Sequence, residues 1–140
     1  METAFRKDYD GWHVRKRQLN ERLVVARYFY EREIWWTAIG VNVGFEQDGK
    51  HDEYTRPVVI LRKFNARLFL GIPLSTTGRR GRYYFPFRYV VGRESVAVIS
   101  QMRAYDSRRL VSKSGVMQKQ DFAGLRKIVV RMLMRKWPEK

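Results

Sequence analysis

The chain has 140 residues, no cysteine and a net charge of +15. Disulfides, thiolate metal sites and a cysteine nucleophile are excluded, and only two histidines, His13 and His51, leave no ordinary zinc ligand set. The charge is the footprint of a protein that meets a polyanion: nucleic acid first, an acidic protein second, an anionic membrane surface third.

The spacing predicts a helix over residues 10–25, capped by Asp10 and packed through Trp12, Leu19 and Leu23, with Arg15, Lys16, Arg17 and Arg22 around the rest. Arg27 to Arg32 alternate charge and ring. Glu33 to Val41 then reads as a strand, with Ile34, Trp36 and Ala38 on one face and Trp35, Thr37 and Ile39 on the other. Gly40, Asn42 and Gly44 open a loop that carries Glu46, Asp48, Gly49, Lys50, His51 and Arg56. Binding and catalytic groups favour such loops on rigid scaffolds.

Pro57 suits the start of a strand, and Val58-Val59-Ile60-Leu61 is an apolar run typical of a core strand. Lys63-Phe64-Asn65-Ala66 turns the chain, and Leu68 to Leu74 returns as the second arm of an antiparallel hairpin. By hairpin geometry, Ser75, Thr76 and Thr77 come back to the level of Arg56. Arg79, Arg80 and Arg82 form a glycine-rich basic loop before Tyr83 to Val91, an aromatic edge or bulged strand containing Pro86. This loop could grip phosphates and stack unpaired bases on Tyr83. Ser95 to Met102 reads as a strand, Arg103 to Leu110 as a connection with a short helix at Ser107-Arg108-Arg109, and Leu110 to Val116 as a last short strand. Arg103, Arg108 and Arg109 either extend a binding groove or pair with Asp106. Lys119 to Trp137 is an amphipathic helix with Phe122, Leu125, Val129 and Met132 in its core stripe, widened by Ile128 and Leu133 and stopped by Pro138.

A front helix, five or six short strands and a closing helix imply a mainly β (α+β) class and a small, strongly curved antiparallel barrel. We expect one domain over residues 1–140, with 1–30 as a helical extension and 31–140 as barrel plus C-terminal helix. No apolar run is long enough to span a bilayer, and Met1 to Asp10 lacks the apolar core of a signal peptide. The absence of cysteine fits a cytoplasmic protein.

Four motifs in order carry a resemblance: Gly44-Phe45-Glu46-Gln47-Asp48-Gly49, Arg56-Pro57-Val58-Val59-Ile60-Leu61, Ile72-Pro73-Leu74-Ser75-Thr76, and Ile99-Ser100-Gln101-Met102-Arg103-Ala104-Tyr105-Asp106. Across roughly residues 32–135 the chain resembles the MazF/PemK family of type II toxin–antitoxin toxins. The resemblance implies an SH3-like barrel of the CcdB/PemK kind, a homodimer, metal-independent cleavage of single-stranded RNA without cofactor, and neutralisation by an antitoxin. It implies roles for Arg56 as the catalytic arginine, Glu46 as the loop glutamate, Ser75 with Thr76 in place of the usual threonine, and Gln101 and Arg103 as the Gln-x-Arg element. His51 to Thr55 is inserted relative to shorter members, and Ser100 stands where some carry an aspartate.

Cleavage of this kind uses the RNA 2′-OH as nucleophile. Arg56 suits stabilisation of the phosphorane, because its planar fork stays charged. An arginine is a poor base, which leaves Glu46 and His51 as the more ordinary choices. The candidate RNA-binding set is His51, Arg79, Arg80, Arg82, Tyr83, Gln101 and Arg103. Two alternatives differ in kind: a related barrel toxin that poisons DNA gyrase, and a non-catalytic module that binds nucleic acid with steep salt dependence.

Overall fold

The computed structural model describes residues 6–22, 28–51 and 53–134. In chain order these form helix α1 (Tyr9–Asn20), strands β1 (Glu33–Ala38), β2 (Thr55–Lys63), β3 (Leu68–Ser75), β4 (Tyr84–Val90), β5 (Arg93–Val98), β6 (Arg103–Asp106) and β7 (Leu110–Val116), and helix α2 (Lys119–Met134). The strands make one antiparallel sheet in the order β4-β5-β3-β2-β1-β7, with β6 paired to β3. The sheet curls into a half-barrel. Its outermost strands approach where Tyr89 and Ser114 share a hydroxyl hydrogen bond at 3.0 Å. This is the mainly β architecture that the element pattern predicts.

The core explains the apolar run on β2. Val59 and Leu61 face a cluster completed by Ile34, Ile72, Leu125 and Val129, so α2 closes one side of the sheet. Val58 and Ile60 face a second cluster with Phe29, Phe69, Tyr105 and Leu110. A strand apolar on both faces is one covered on both faces. The hairpin turn closes through Asn65, whose side-chain oxygen accepts from Arg67 N at 2.8 Å and Leu68 N at 3.0 Å, an Asx-type turn.

Several boundaries differ from the sequence expectation. The cap of α1 is Asp8, which accepts from Gly11 N, and Asp10 lies inside the first turn. Leu23 and the expected helix end at 25 lie outside the described residues, as do Trp137 and Pro138. Strand β1 does not alternate cleanly: Trp36 is exposed while Thr37 and Ala38 are both buried. Its pairing with β7 slips at Ile34/Trp35 and again at Trp36/Thr37, and each bulge re-aims the side chains that follow. Strand β5 stops at Val98, because Ile99–Gln101 winds into a single 3₁₀ turn. The expected connection after Arg103 instead pairs with β3 as β6 before the short helix at Ser107–Arg109. On α2, Phe122, Leu125 and Val129 are buried as expected, whereas Leu133 is exposed. No helix among the described residues is long and apolar enough to cross a membrane.

Candidate active site

Arg56 enters β2 opposite Thr37 of β1, and the β2–β3 register, fixed by Val58 against Pro73, brings it level with the end of β3. It is 9% exposed. Its Nε donates to Asp48 O at 2.7 Å and its Nη1 to Leu74 O at 3.3 Å. Turned with its amide oxygen toward the guanidinium, Gln47 accepts from Nη2 at 3.0 Å and Nη1 at 3.1 Å. These partners are neutral. Among the described residues no carboxylate stands within ion-pair distance, because that of Asp48 is turned to Lys7 Nζ at 3.1 Å. Burial lowers the guanidinium pKa. The nearby charge of Asp48 opposes this and that of Arg79 adds to it, and the group remains a cation at neutral pH.

Beside Arg56 lies a cleft of about 180 Å³. Lys50, His51 and Arg93 line it with Arg56, and Thr55, Ser75, Thr76 and Ser95 add hydroxyls. Trp36, Pro57, Leu74, Tyr89 and Val90 supply its apolar walls, and no carboxylate lines it among the described residues. Ser75 is buried, and its Oγ accepts from Thr77 N at 3.2 Å and shares a 2.8 Å hydrogen bond with Thr77 Oγ1. The inserted segment closes as a tight turn. Lys50 and Thr55 exchange backbone hydrogen bonds at 2.8 and 3.0 Å, and His51 and Tyr54 take positive φ of 65° and 55°. That turn holds His51 on the rim of the cleft.

Glu46 does not join this cleft. It lies in a separate depression with Gln101, Arg103 and Tyr105, where its Oε1 accepts from Val43 N at 3.1 Å and ties the loop. Gln101 Oε1 accepts from Gln47 N at 3.1 Å, so Gln47 links the two depressions. Arg103 lies over the Tyr105 ring at 4.8 Å. Burial pushes the Tyr105 phenol up to about 12 against the pull of Arg103, Arg109 and Arg56. Arg108 takes the Asp106 side of the earlier alternative, at 3.9 Å, and also reaches Asn20 O on α1. Arg109 donates to Ala38 O at 3.1 Å.

None of Arg79, Arg80, Arg82 and Tyr83 lines the Arg56 cleft. Arg80 pairs with Glu94 at 2.9 Å, Arg79 and Arg80 are exposed, and Tyr83 is 39% exposed. Sequence reasoning missed Lys50, Arg93, Ser95 and Trp36. The pairing of β4 with β5 through Val90 and Arg93 carries the last two polar groups to the cleft. That hairpin is local, turning at Gly92, but it reaches the cleft through the pairing of β5 with β3, Ser75 against Val96, which no local pattern announces.

The sequence matches the family of PemK-like, MazF-like toxins of type II toxin–antitoxin systems over residues 30–133. No curated protein sequence matches the chain at a significant level. Among solved structures, it is similar to the Mycobacterium tuberculosis toxin MazF-mt6, at 16% identity and TM-score 0.58, covering 76% of this chain and 100% of that one. It is similar to MazF of Deinococcus radiodurans at 17% identity and TM-score 0.62, covering 76% and 98%. An endoribonuclease in complex with its cognate antitoxin, from a mycobacterial species, aligns at 12% identity and TM-score 0.57, covering 79% and 100%. At such identities these likenesses speak for the fold, while the family follows from the match to most of the chain. The protein therefore belongs to the PemK-like, MazF-like toxins of type II toxin–antitoxin systems.

Proposed function

We propose that this toxin is an endoribonuclease that cuts single-stranded RNA at the Arg56 cleft without a metal. The observation that carries this reading is the lining of the cleft: a buried arginine held only by neutral acceptors, flanked by Lys50, His51 and Arg93 and by hydroxyls, with no carboxylate among the described residues. A cation with uncharged partners keeps its potential for an incoming anion. A phosphodiester fits such a site.

The RNA 2′-OH attacks the adjacent phosphorus and its proton passes to a base. The bond to the 5′-oxygen breaks, and that oxygen takes up a proton. The products are a 2′,3′-cyclic phosphate and a 5′-OH. The nucleophile is internal to the substrate, so no metal-bound water is needed. Arg56 stabilises charge on the phosphorane, commonly the largest catalytic term. Ser75 and Thr76 donate to the same phosphate. His51 is the imidazole on the cleft rim and handles a proton. Glu46, which lies in the other depression, ties the loop. Gln101, Arg103 and the Arg79–Arg82 loop with Tyr83 lie outside the cleft and bind RNA on either side of the scissile bond.

The same charge calls for an acidic antitoxin whose segment covers residues 44–56 and the Arg79–Arg82 loop. The toxin works as a homodimer in the cytoplasm. Incubating purified protein with a long RNA in EDTA and mapping the ends tests the reading. New 2′,3′-cyclic phosphate and 5′-OH ends at defined positions support it. Intact RNA, with supercoiling by DNA gyrase inhibited instead, sinks it.

A further inference from the structure

Among its described residues, the loop over 40–54 meets a buried cluster only through Val41 and Tyr54, which pack on Trp12, Leu19 and Ala38. Phe45 is fully exposed and Val43 is 74% exposed. Among its described residues Gly40, Gly44, His51 and Tyr54 sit at positive φ, the last two without a glycine's freedom. Loops so built lie at the low end of local stability unless polar ties hold them.

The loop ties itself through Asn42 N to Asp48 Oδ1, Asn42 Nδ2 to Gln47 O and Gly49 N to Gly40 O, each at 2.7 Å, and further ties come from outside the residues that match the family, which begin at residue 30. Lys7 Nζ donates to Asn42 O at 2.6 Å and Gly44 O at 3.0 Å and pairs with Asp48 Oδ2 at 3.1 Å. All three ammonium donors are thereby used on one loop. Tyr9 donates its hydroxyl to Asn42 O at 3.1 Å. Asp8 accepts from the Tyr54 hydroxyl at 2.6 Å, which, followed by Gly11 N, holds its carboxyl below the usual carboxylate range. Behind these contacts, Trp12 is 7% exposed and lies 5.6 Å from the Tyr54 ring. It also fits against Gly40 so closely that a Cβ there would meet the indole at 2.1 Å.

We propose that residues 7–12 act as a brace that positions Arg56 through the loop. Lys7 pairs with the side chain of Asp48, which also accepts from Asn42 N at 2.7 Å, and the carbonyl of that same residue receives Arg56 Nε. Asp8 fixes Tyr54, two residues before Arg56 in the turn that carries His51. Lys7, Asp8 and Tyr54 are thus positioning residues, not catalytic ones, and the extension belongs to the working site. The catalytic half of this inference rests on Arg56 being the cleaving arginine. The structural half does not.

The experiment uses the full chain with Lys7→Met and Tyr54→Phe, each followed by amide hydrogen exchange and by cleavage kinetics on a short RNA in EDTA. We expect residues 42–50 to exchange about tenfold faster or more, with protection in β2 and β3 unchanged. We expect kcat to fall about tenfold to a hundredfold with KM little changed. Unchanged exchange in residues 42–50 overturns the brace whether or not RNA is cut. Faster exchange with unchanged kcat overturns the positioning role. Loss of cleavage in Arg56→Ala alone, with both brace variants fully active, upholds the cleaving arginine and rejects the brace.

Discussion

The floor of the Arg56 cleft and its roof hold their groups by different means. On the floor, Arg56 and Ser75 stand on adjacent antiparallel strands whose neighbours Val58, Ile60 and Ile72 are fully buried. Register and packing place these side chains, and moving them means unpacking the sheet. On the roof, Asp48, Lys50 and His51 hang from a loop with Val43 and Phe45 in solvent, held by hydrogen bonds that include three from Lys7 and Tyr9 to Asn42 and Gly44. The lesson is a division of labour. Substitutions of the packed residues beneath the floor are therefore expected to cost stability, and substitutions on the roof to change activity with little change in global stability.

The largest break in this comparison is in the floor. Phe69 is fully buried between Phe29 and Tyr105, with ring centroids at 5.4 and 5.7 Å. Phe69→Ala is expected to cost about 3–5 kcal/mol in urea unfolding. A cost under about 1 kcal/mol would show that this side of the sheet is not packed as described.

On the roof, His51→Ala is expected to slow cleavage about a hundredfold or more, while Glu46→Gln changes it by less than about threefold, with both variants melting close to the parent. Single-turnover rates separate the two. The reverse ranking would move the proton chemistry to the Glu46 depression.

A pH measurement sharpens the comparison from the β1 side. Glu33 is buried, which alone would raise its pKa. Hydrogen bonds from Lys113, Trp35 Nε1 and Tyr30 N outweigh this, and the folded carboxyl lies below its ordinary value. A depressed folded pKa stabilises above the unfolded value, and the contribution is lost as pH falls through the folded one. Stability should therefore drop on acidification below the usual carboxylate range, and Glu33→Gln should flatten that limb of the urea midpoint against pH. An identical acid limb in the variant contradicts the assignment. The smallest effect is expected at Arg80, whose pair with Glu94 is exposed. Arg80→Ala should change stability by no more than about 1 kcal/mol, measured by the same unfolding.

Much of the floor was legible in the sequence. The apolar run Val58 to Leu61, the turn at Asn65 and the hairpin arithmetic that brings Ser75 level with Arg56 are local patterns, and the sheet follows them. The strands after Gly92 were less legible, because the 3₁₀ turn at Ile99–Gln101 forms where Met102 N reaches back to Ile99 O at 3.1 Å and Gln101 turns toward the loop. The roof was legible in composition but not in grouping. Glu46 and Arg56 share a loop in sequence, yet the loop folds them into different depressions, and Arg93 joins Arg56 from 37 residues away. Nothing local in Lys7 or Asp8 announces that they reach the loop, since both contacts span at least 35 residues.

The most direct test of the central claim compares the wild-type chain with Arg56→Ala for cleavage of one RNA in EDTA, with near-UV circular dichroism matched between them. Wild type is expected to cut, and the variant to be slowed by about a hundredfold to a thousandfold at unchanged fold. Equal rates for the two proteins would contradict it.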